Sequence, residues 1–228
     1  MSGVRGKVGP MSEKLTGQAI LDAGLDDWRL LMRELRAHFV TGDFATGLAF
    51  VNLVGAAAES ANHHPDLDFR YGAVRISLTS HDTGGVTRRD VAMAREISAI
   101  AAELGLVTRP DTVELLELAL DTADRAAIAP FWRAILGYED SAAVPDEVSD
   151  PAGLLPTLWF QGTDPHETPR QRFHLDIHVP HDVALVRLEA TLAAGGTLVS
   201  DADAPSFWVL ADAEGNKACI CTWQSKAG

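Results

Sequence analysis

The 228-residue sequence predicts an α+β protein of two domains. Three observations lead there. Apolar spacings of two and of three to four residues alternate along the chain, so strands and helices are interleaved. The pattern stops near residues 107–111 and restarts. Beyond that point the order strand, helix, strands occurs twice, an internal duplication with a period of about 60 residues. Charge divides at the same place: residues 1–108 carry a net −2 and residues 109–228 a net −11, within a total of −13.

Residues 1–12 carry no clear pattern and stay outside the fold argument. A helix is expected from Gly17 to Arg36, with Gly24 as a point where it can break in two, because Ile20, Leu21, Leu25, Trp28, Leu31 and Leu35 recur mostly three or four apart. His38–Thr41 reads as a short strand, and Gly42 and Asp43 as a turn and an N-cap. A second helix is expected over Phe44–Ala61, with Phe44, Leu48, Val51, Val54, Gly55 and Ala58 in one stripe. Asp66–Ser80 reads as two strands or one bent strand, with Val74, Ile76 and Leu78 on one face. Thr87–Asp90 fits a capping box with Asp in place of Glu, opening a helix that ends near Leu104 before Gly105.

Val107–Asp111 is the expected linker, giving domains 1–108 and 109–228. Strands follow at Val113–Leu120, Thr157–Gln161, Arg172–Val179, Phe207–Leu210 and Lys217–Trp223. Helices are expected at Ala123–Leu136, ending at Gly137, and Val183–Ala194. Trp132, Trp159, Trp208 and Trp223 lie in this half, and core packing is the expected role for them.

Composition narrows the function classes. With 46% apolar and 22% charged residues the chain is globular rather than disordered. The acidic balance argues against a nucleic-acid partner. No run of about 18 apolar residues is expected, which argues against a transmembrane helix, and no membrane partner is expected. The first residues lack the apolar stretch of a secretory signal, and the expected location is cytoplasmic. Cys219 and Cys221, two apart on one strand, suit neither a disulfide framework nor a zinc motif and are expected to pack as small hydrophobes.

The chemistry in the first half centres on Glu59, His63, His64, Pro65, Tyr71, His81, Asp82 and Asp90. His63 and His64 follow a helix C-terminus, where the macrodipole favours imidazolium, while their proximity opposes double protonation. Two such imidazoles can divide acid and base roles near neutral pH. Glu59, four residues before His63, can orient that imidazole or bind a substrate's amino edge. Asp90 reads as the N3 capping residue. Ten residues of straight strand would span about 33 Å, so Tyr71 and His81 are not expected to share a pocket, and Tyr71 is expected to pack.

This spaced set, with Phe39, Asp43, Phe44, Phe50, Val74, Leu78, Thr83, Gly84, Gly85 and Thr87 around it, closely resembles the pterin-4a-carbinolamine dehydratase family over residues 14–105. The resemblance implies an antiparallel sheet with helices on one face. It implies loss of water from 4a-hydroxytetrahydrobiopterin to give the quinonoid dihydropterin, a step in pterin recycling that needs no cofactor. It implies a catalytic set of His63, His64 and His81, with His63 and His81 as the acid/base pair, and Glu59, Pro65, Asp82 and Asp90 at the substrate. It also implies a homodimer or homotetramer. The alternative reading is a protein that binds pterin or another small molecule without turning it over.

In the second half, Ala119–Thr122, Phe131–Tyr138, Arg172–His178 and Asp212–Lys217 resemble the glyoxalase-like part of the vicinal-oxygen-chelate superfamily over residues 112–224. That resemblance implies paired βαβββ modules. Metal-dependent members place ligands on the first strand of each module and on the last strand. Glu114 and His174 match two such positions, but Cys219 stands where a Glu is usual. The expectation is therefore no metal, with Glu114 and His174 as the candidates should there be one. A metal-dependent lyase or dioxygenase activity in this half is a further alternative. His174, Asp176 and His178 alternate and share one strand face.

Overall fold

The computed structural model describes residues 13–136, 138–165, 173–193, 195–211 and 217–226. The chain divides into two compact units, 1–113 and 114–228. Among the expectations above, those on residues 1–12, Gly137, Arg172, Ala194 and residues 212–216 lie outside the described residues.

In the first unit Thr16 caps a single helical turn, α1 (Gly17–Leu21). The expected helix over Gly17–Arg36 does not continue. Gly24 takes a positive φ of 64°, and the chain then forms strand β1 (Trp28–Leu31) and strand β2 (Glu34–Val40). The hairpin turns at Met32, whose φ is 50°. That turn resets the alternation, so Trp28, Leu31 and Leu35 keep helix-like spacings of three and four while lying on two strands. Asp43 accepts from the Thr46 N–H and caps α2 (Phe44–Ala61). Asn62, in the left-handed conformation at φ 47°, ends it.

Strands β3 (Asp66–Arg70) and β4 (Ala73–Leu78) form the next hairpin. Tyr71 sits in its turn, 74% exposed, so the expectation that it packs is not met. Helix α3 (Arg88–Glu103) opens with the Thr87–Asp90 capping box. Strand β5 (Val107–Thr108) then pairs with β2, and a single 3₁₀ turn follows at Pro110–Thr112. The segment read as a linker is thus tied to the first unit: the Arg109 N–H donates to the His38 carbonyl, and Thr112 Oγ1 lies 2.6 Å from His38 Nδ1.

The sheet runs β1-β2-β4-β3, antiparallel throughout, with β5 beside β2. Leu35, Ala37 and Phe39 of β2 and Val74, Ile76 and Leu78 of β4 are buried. They form one core with Phe50, Val54 and Ala58 of α2 and Ala94, Ile97 and Ala101 of α3. α2 is long and apolar enough by length and composition to cross a membrane, which the sequence reading did not single out; here it lines this core.

The second unit contains strand β6 (Leu115–Thr122), helix α4 (Arg125–Leu136) and strands β7 (Glu139–Asp140), β8 (Glu147–Ser149) and β9 (Leu158–Gly162). The same order recurs in β10 (Phe173–His178), α5 (Ala184–Ala193), β11 (Thr197–Ser200), β12 (Phe207–Ala211) and β13 (Lys217–Cys221). These are two βαβββ modules in one mixed sheet, ordered β11-β12-β13-β10-β6-β9-β8-β7. In each, the first strand pairs parallel with the last: β6 with β9 and β10 with β13. β6 and β10 join the modules antiparallel. Leu120, Leu158 and Phe160 pack with Ala129 of α4, and Ile220, Trp208 and Leu210 with Ala184 of α5. The intervening residues, among them Glu117, His174, Asp176 and Cys219, fall on the other face by the alternation of a strand.

Candidate functional site

The left-handed Asn62 ends helix α2 and turns the chain so that His63 meets Asp90 in the first turn of α3. His63 Nε2 lies 2.7 Å from Asp90 Oδ1. Asp90 is fully buried, yet every contact compensates its charge. Its Oδ2 accepts from the Thr87 N–H at 2.7 Å, from Ser80 Oγ at 2.7 Å and from Thr87 Oγ1 at 3.1 Å. Ser80 and Thr87 are themselves 2.9 Å apart. One carboxylate therefore caps α3 with one oxygen and holds His63 with the other.

The tautomer follows from that contact. An ionised carboxylate only accepts, so His63 Nε2 carries the proton and donates it. In the neutral tautomer that donates through Nε2, the other ring nitrogen, Nδ1, carries the lone pair. The His63 side chain is 10% exposed, enough to reach a ligand but not to rotate freely in water.

The remaining expected residues divide. His64 Nε2 lies 3.0 Å from Glu59 Oε1, with both side chains exposed. Glu59 thus orients His64 rather than His63. Pro65 is half-buried and leads into β3. His81 and Asp82 lie exposed in the turn between Ser80 and Gly85. Asp82 pairs with Arg89 on the first turn of α3, and that hydrogen bond holds its carboxyl below the usual range. Asp90, expected at the substrate, is inaccessible and contacts His63 instead. Ser80 and Thr87 complete the contacts of Asp90. Thr87 was legible as an N-cap, whereas Ser80 is placed by its bridge to Gly85 just beyond β4.

In the second unit Glu114 and His174 do not converge. Glu114 precedes β6 and pairs with Arg187 of α5 at 3.3 Å, while His174 stands opposite Ala119 in the middle of the sheet. The groups that do meet His174 are Asp176 at 3.6 Å, Asp121 at 3.4 Å and Cys219. Burial pushes the Asp176 carboxyl up. It also raises the Cys221 thiol, after a hydrogen bond to Cys219 that acts in the same direction. A cavity of about 340 Å³ opens at the end of β6, lined by Asp121, Asp124, Trp132, Asp164 and Phe173 among others. Trp132 meets the edge of Phe173 there.

Comparison with known proteins gives two family matches. Residues 10–100 match the model described as pterin 4 alpha carbinolamine dehydratase, and residues 117–221 match that of a glyoxalase-like domain. A protein of Acidobacterium capsulatum, provisionally named pterin-4-alpha-carbinolamine dehydratase, is 43% identical over 89 residues, which are 38% of this chain and 97% of the relative. The crystal structure of a transcriptional coactivator/pterin dehydratase from Brucella melitensis is 33% identical, covering 39% of this chain and 99% of that one, with a TM-score of 0.38. A glyoxalase/bleomycin resistance protein/dioxygenase superfamily member from Vibrio splendidus is 16% identical, covering 48% and 99%, with a TM-score of 0.34.

Proposed function

The chain belongs to the pterin-4-alpha-carbinolamine dehydratase family through residues 10–100 and continues into a glyoxalase-like domain, and from this we propose that its first unit dehydrates 4a-hydroxytetrahydropterin to the quinonoid dihydropterin. The observation that carries the reading is the His63–Asp90 pair, 2.7 Å apart, with its carboxylate fully buried. Loss of water requires a base for a ring N–H proton and an acid for the departing 4a-hydroxyl. The electrons of the broken N–H bond close the new C=N bond as the C–O bond breaks. The proton taken by the base and the one given by the acid balance the released water.

His63, with Nε2–H committed to Asp90, offers Nδ1 as the base. Asp90 stabilises the imidazolium that forms, a task it performs without contacting substrate. His81 protonates the leaving hydroxyl. His64, oriented by Glu59, assists at the pterin ring, and Pro65 and Asp82 border it. The substrate is a free small molecule, and the exposed Leu48 and Leu53 on α2 are apolar surface for self-association. Stopped-flow decay of freshly generated 4a-hydroxytetrahydropterin tests the reading. Full-length protein accelerates the decay, and a His63→Ala/His81→Ala variant does not. No acceleration by the full chain would leave a pterin-binding protein.

A further inference from the structure

The imidazole of His81 lies exposed in the Ser80–Gly85 turn, with no hydrogen-bond partner among the described residues. A general acid works only when it is held within reach of the group it protonates. The backbone of the turn must therefore place this ring. Bonds inside the turn give it shape: the Thr83 N–H donates to the Ser80 carbonyl at 3.0 Å, and Thr83 Oγ1 lies 3.0 Å from that oxygen and 3.3 Å from the Gly85 carbonyl. They do not orient it against the helix. Orientation comes from the two residues that flank His81. Ser80 Oγ donates to Asp90 Oδ2 at 2.7 Å. Asp82 pairs with Arg89. Positions 80 and 82 are thus tied to positions 90 and 89, neighbours in the first turn of α3. One anchor would leave the turn free to swing about it. Two anchors, one on each side of His81, fix its backbone against the same helical turn whose Asp90 holds His63.

Arg89 also differs from a solvated surface arginine. Its side chain is 31% exposed, and its Nε is buried without an acceptor among the described residues. A guanidinium free to follow solvent would keep that N–H wet. The side chain sits where it meets Asp82 and leaves one of its own donors unpaired. We infer that Arg89 is a positioning residue for the dehydration: through Asp82 it clamps the turn that presents His81, and so sets the acid against the His63–Asp90 pair. The inference rests on the reading of His81 as the acid given above. Arg89 acts without contacting substrate. An exposed ion pair of this kind contributes little to stability, and Arg89→Gln also removes a buried donor that lacks a partner. The effect of the substitution should therefore fall on the rate and not on the fold.

Full-length wild type, Arg89→Gln, His81→Ala and the double variant are compared by stopped-flow dehydration and by hydrogen–deuterium exchange of peptides covering residues 80–86. In Arg89→Gln the turn should exchange about fivefold faster or more, at an unchanged Tm. Its kcat should fall roughly 10- to 100-fold with KM within about twofold, the signature of a misplaced group. Added to His81→Ala, the same substitution should slow the reaction no further. A purely structural role would instead lower Tm and slow the His81→Ala protein equally. Asp82→Asn cuts the pair from its other side, so it should speed exchange in the same peptides, and it decides the clamp if Arg89→Gln fails to fold. Wild-type exchange in the turn, wild-type kcat in Arg89→Gln, or an equal loss in the His81→Ala background would each overturn the inference. If the full chain does not accelerate the decay at all, the dehydration reading falls, while the exchange rates still decide whether Arg89 holds the turn.

Discussion

At the scale of single residues, the account turns on what a buried carboxylate does to the imidazole it touches. Asp90 is inaccessible and touches His63, so in the proposed reaction its contribution passes through His63. If His63 is the base of the proposed dehydration, His63→Ala should lower turnover by about 10²–10⁴, the usual weight of general acid–base catalysis. His64→Ala should cost far less, since His64 and Glu59 are both exposed and solvent can replace their contact. Steady-state rates of the two variants at equal protein concentration check the ranking. Asp90 does two jobs, and only one was legible: the Thr87–Asp90 spacing announces a capping box, but the 27-residue separation from His63 hides the other. The histidines stood out because three fall within 19 residues. Ser80 did not, because a serine next to a histidine in sequence has no signature until the Ser80–Gly85 bridge beyond β4 sets its hydroxyl against Asp90.

At the scale of elements, the site depends on how α2 and α3 are held against the sheet. Gly47 of α2 is the closest approach: a Cβ there would meet Phe69 Cε2 at 2.5 Å and Thr41 Oγ1 at 3.1 Å. Gly47→Ala should destabilise the unit by about 1–3 kcal/mol through overpacking, visible as a lower urea midpoint. Thr87→Ala removes the N-cap of α3 and should cost about 1–2 kcal/mol by the same assay. His38 gives the pH dependence. Desolvation and then the Arg75 and Arg109 charges lower its pKa from the ordinary 6.5. Between the depressed value and 6.5 the unfolded chain binds more protons, so this contribution is complete above about pH 6.5 and is lost as pH falls through the folded value. The Tm of His38→Gln should therefore fall less than that of wild type between pH 7.5 and 5. α2 and α3 were legible through their caps, Asp43 and the Thr87–Asp90 box, whereas the stripe read on α2 was partly misplaced: Val54 and Ala58 are buried, but Phe44 and Leu48 are exposed and Gly47 and Phe50 face the core. β1 was not, since a four-residue strand leading into a tight turn shows too little alternation to be told from a helix.

At the scale of the whole molecule, two units with separate cores share one chain. The duplication in the second was readable because β6-α4 and β10-α5 repeat the same order. β7, β8 and β11, two to four residues long, were not, because their pairing supplies their order. The first unit contains the whole His63–Asp90–Ser80–Thr87 network, so a fragment of residues 1–113 should fold and keep at least half of the full chain's dehydration rate. The most direct test of the central claim is a double-mutant cycle on His63 and Asp90, read by stopped-flow dehydration of 4a-hydroxytetrahydropterin. If Asp90 acts through His63, Asp90→Asn slows the reaction and the His63→Ala/Asp90→Asn double variant is no slower than His63→Ala alone. Wild-type turnover in either single variant, or strictly additive losses in the double, would contradict the account.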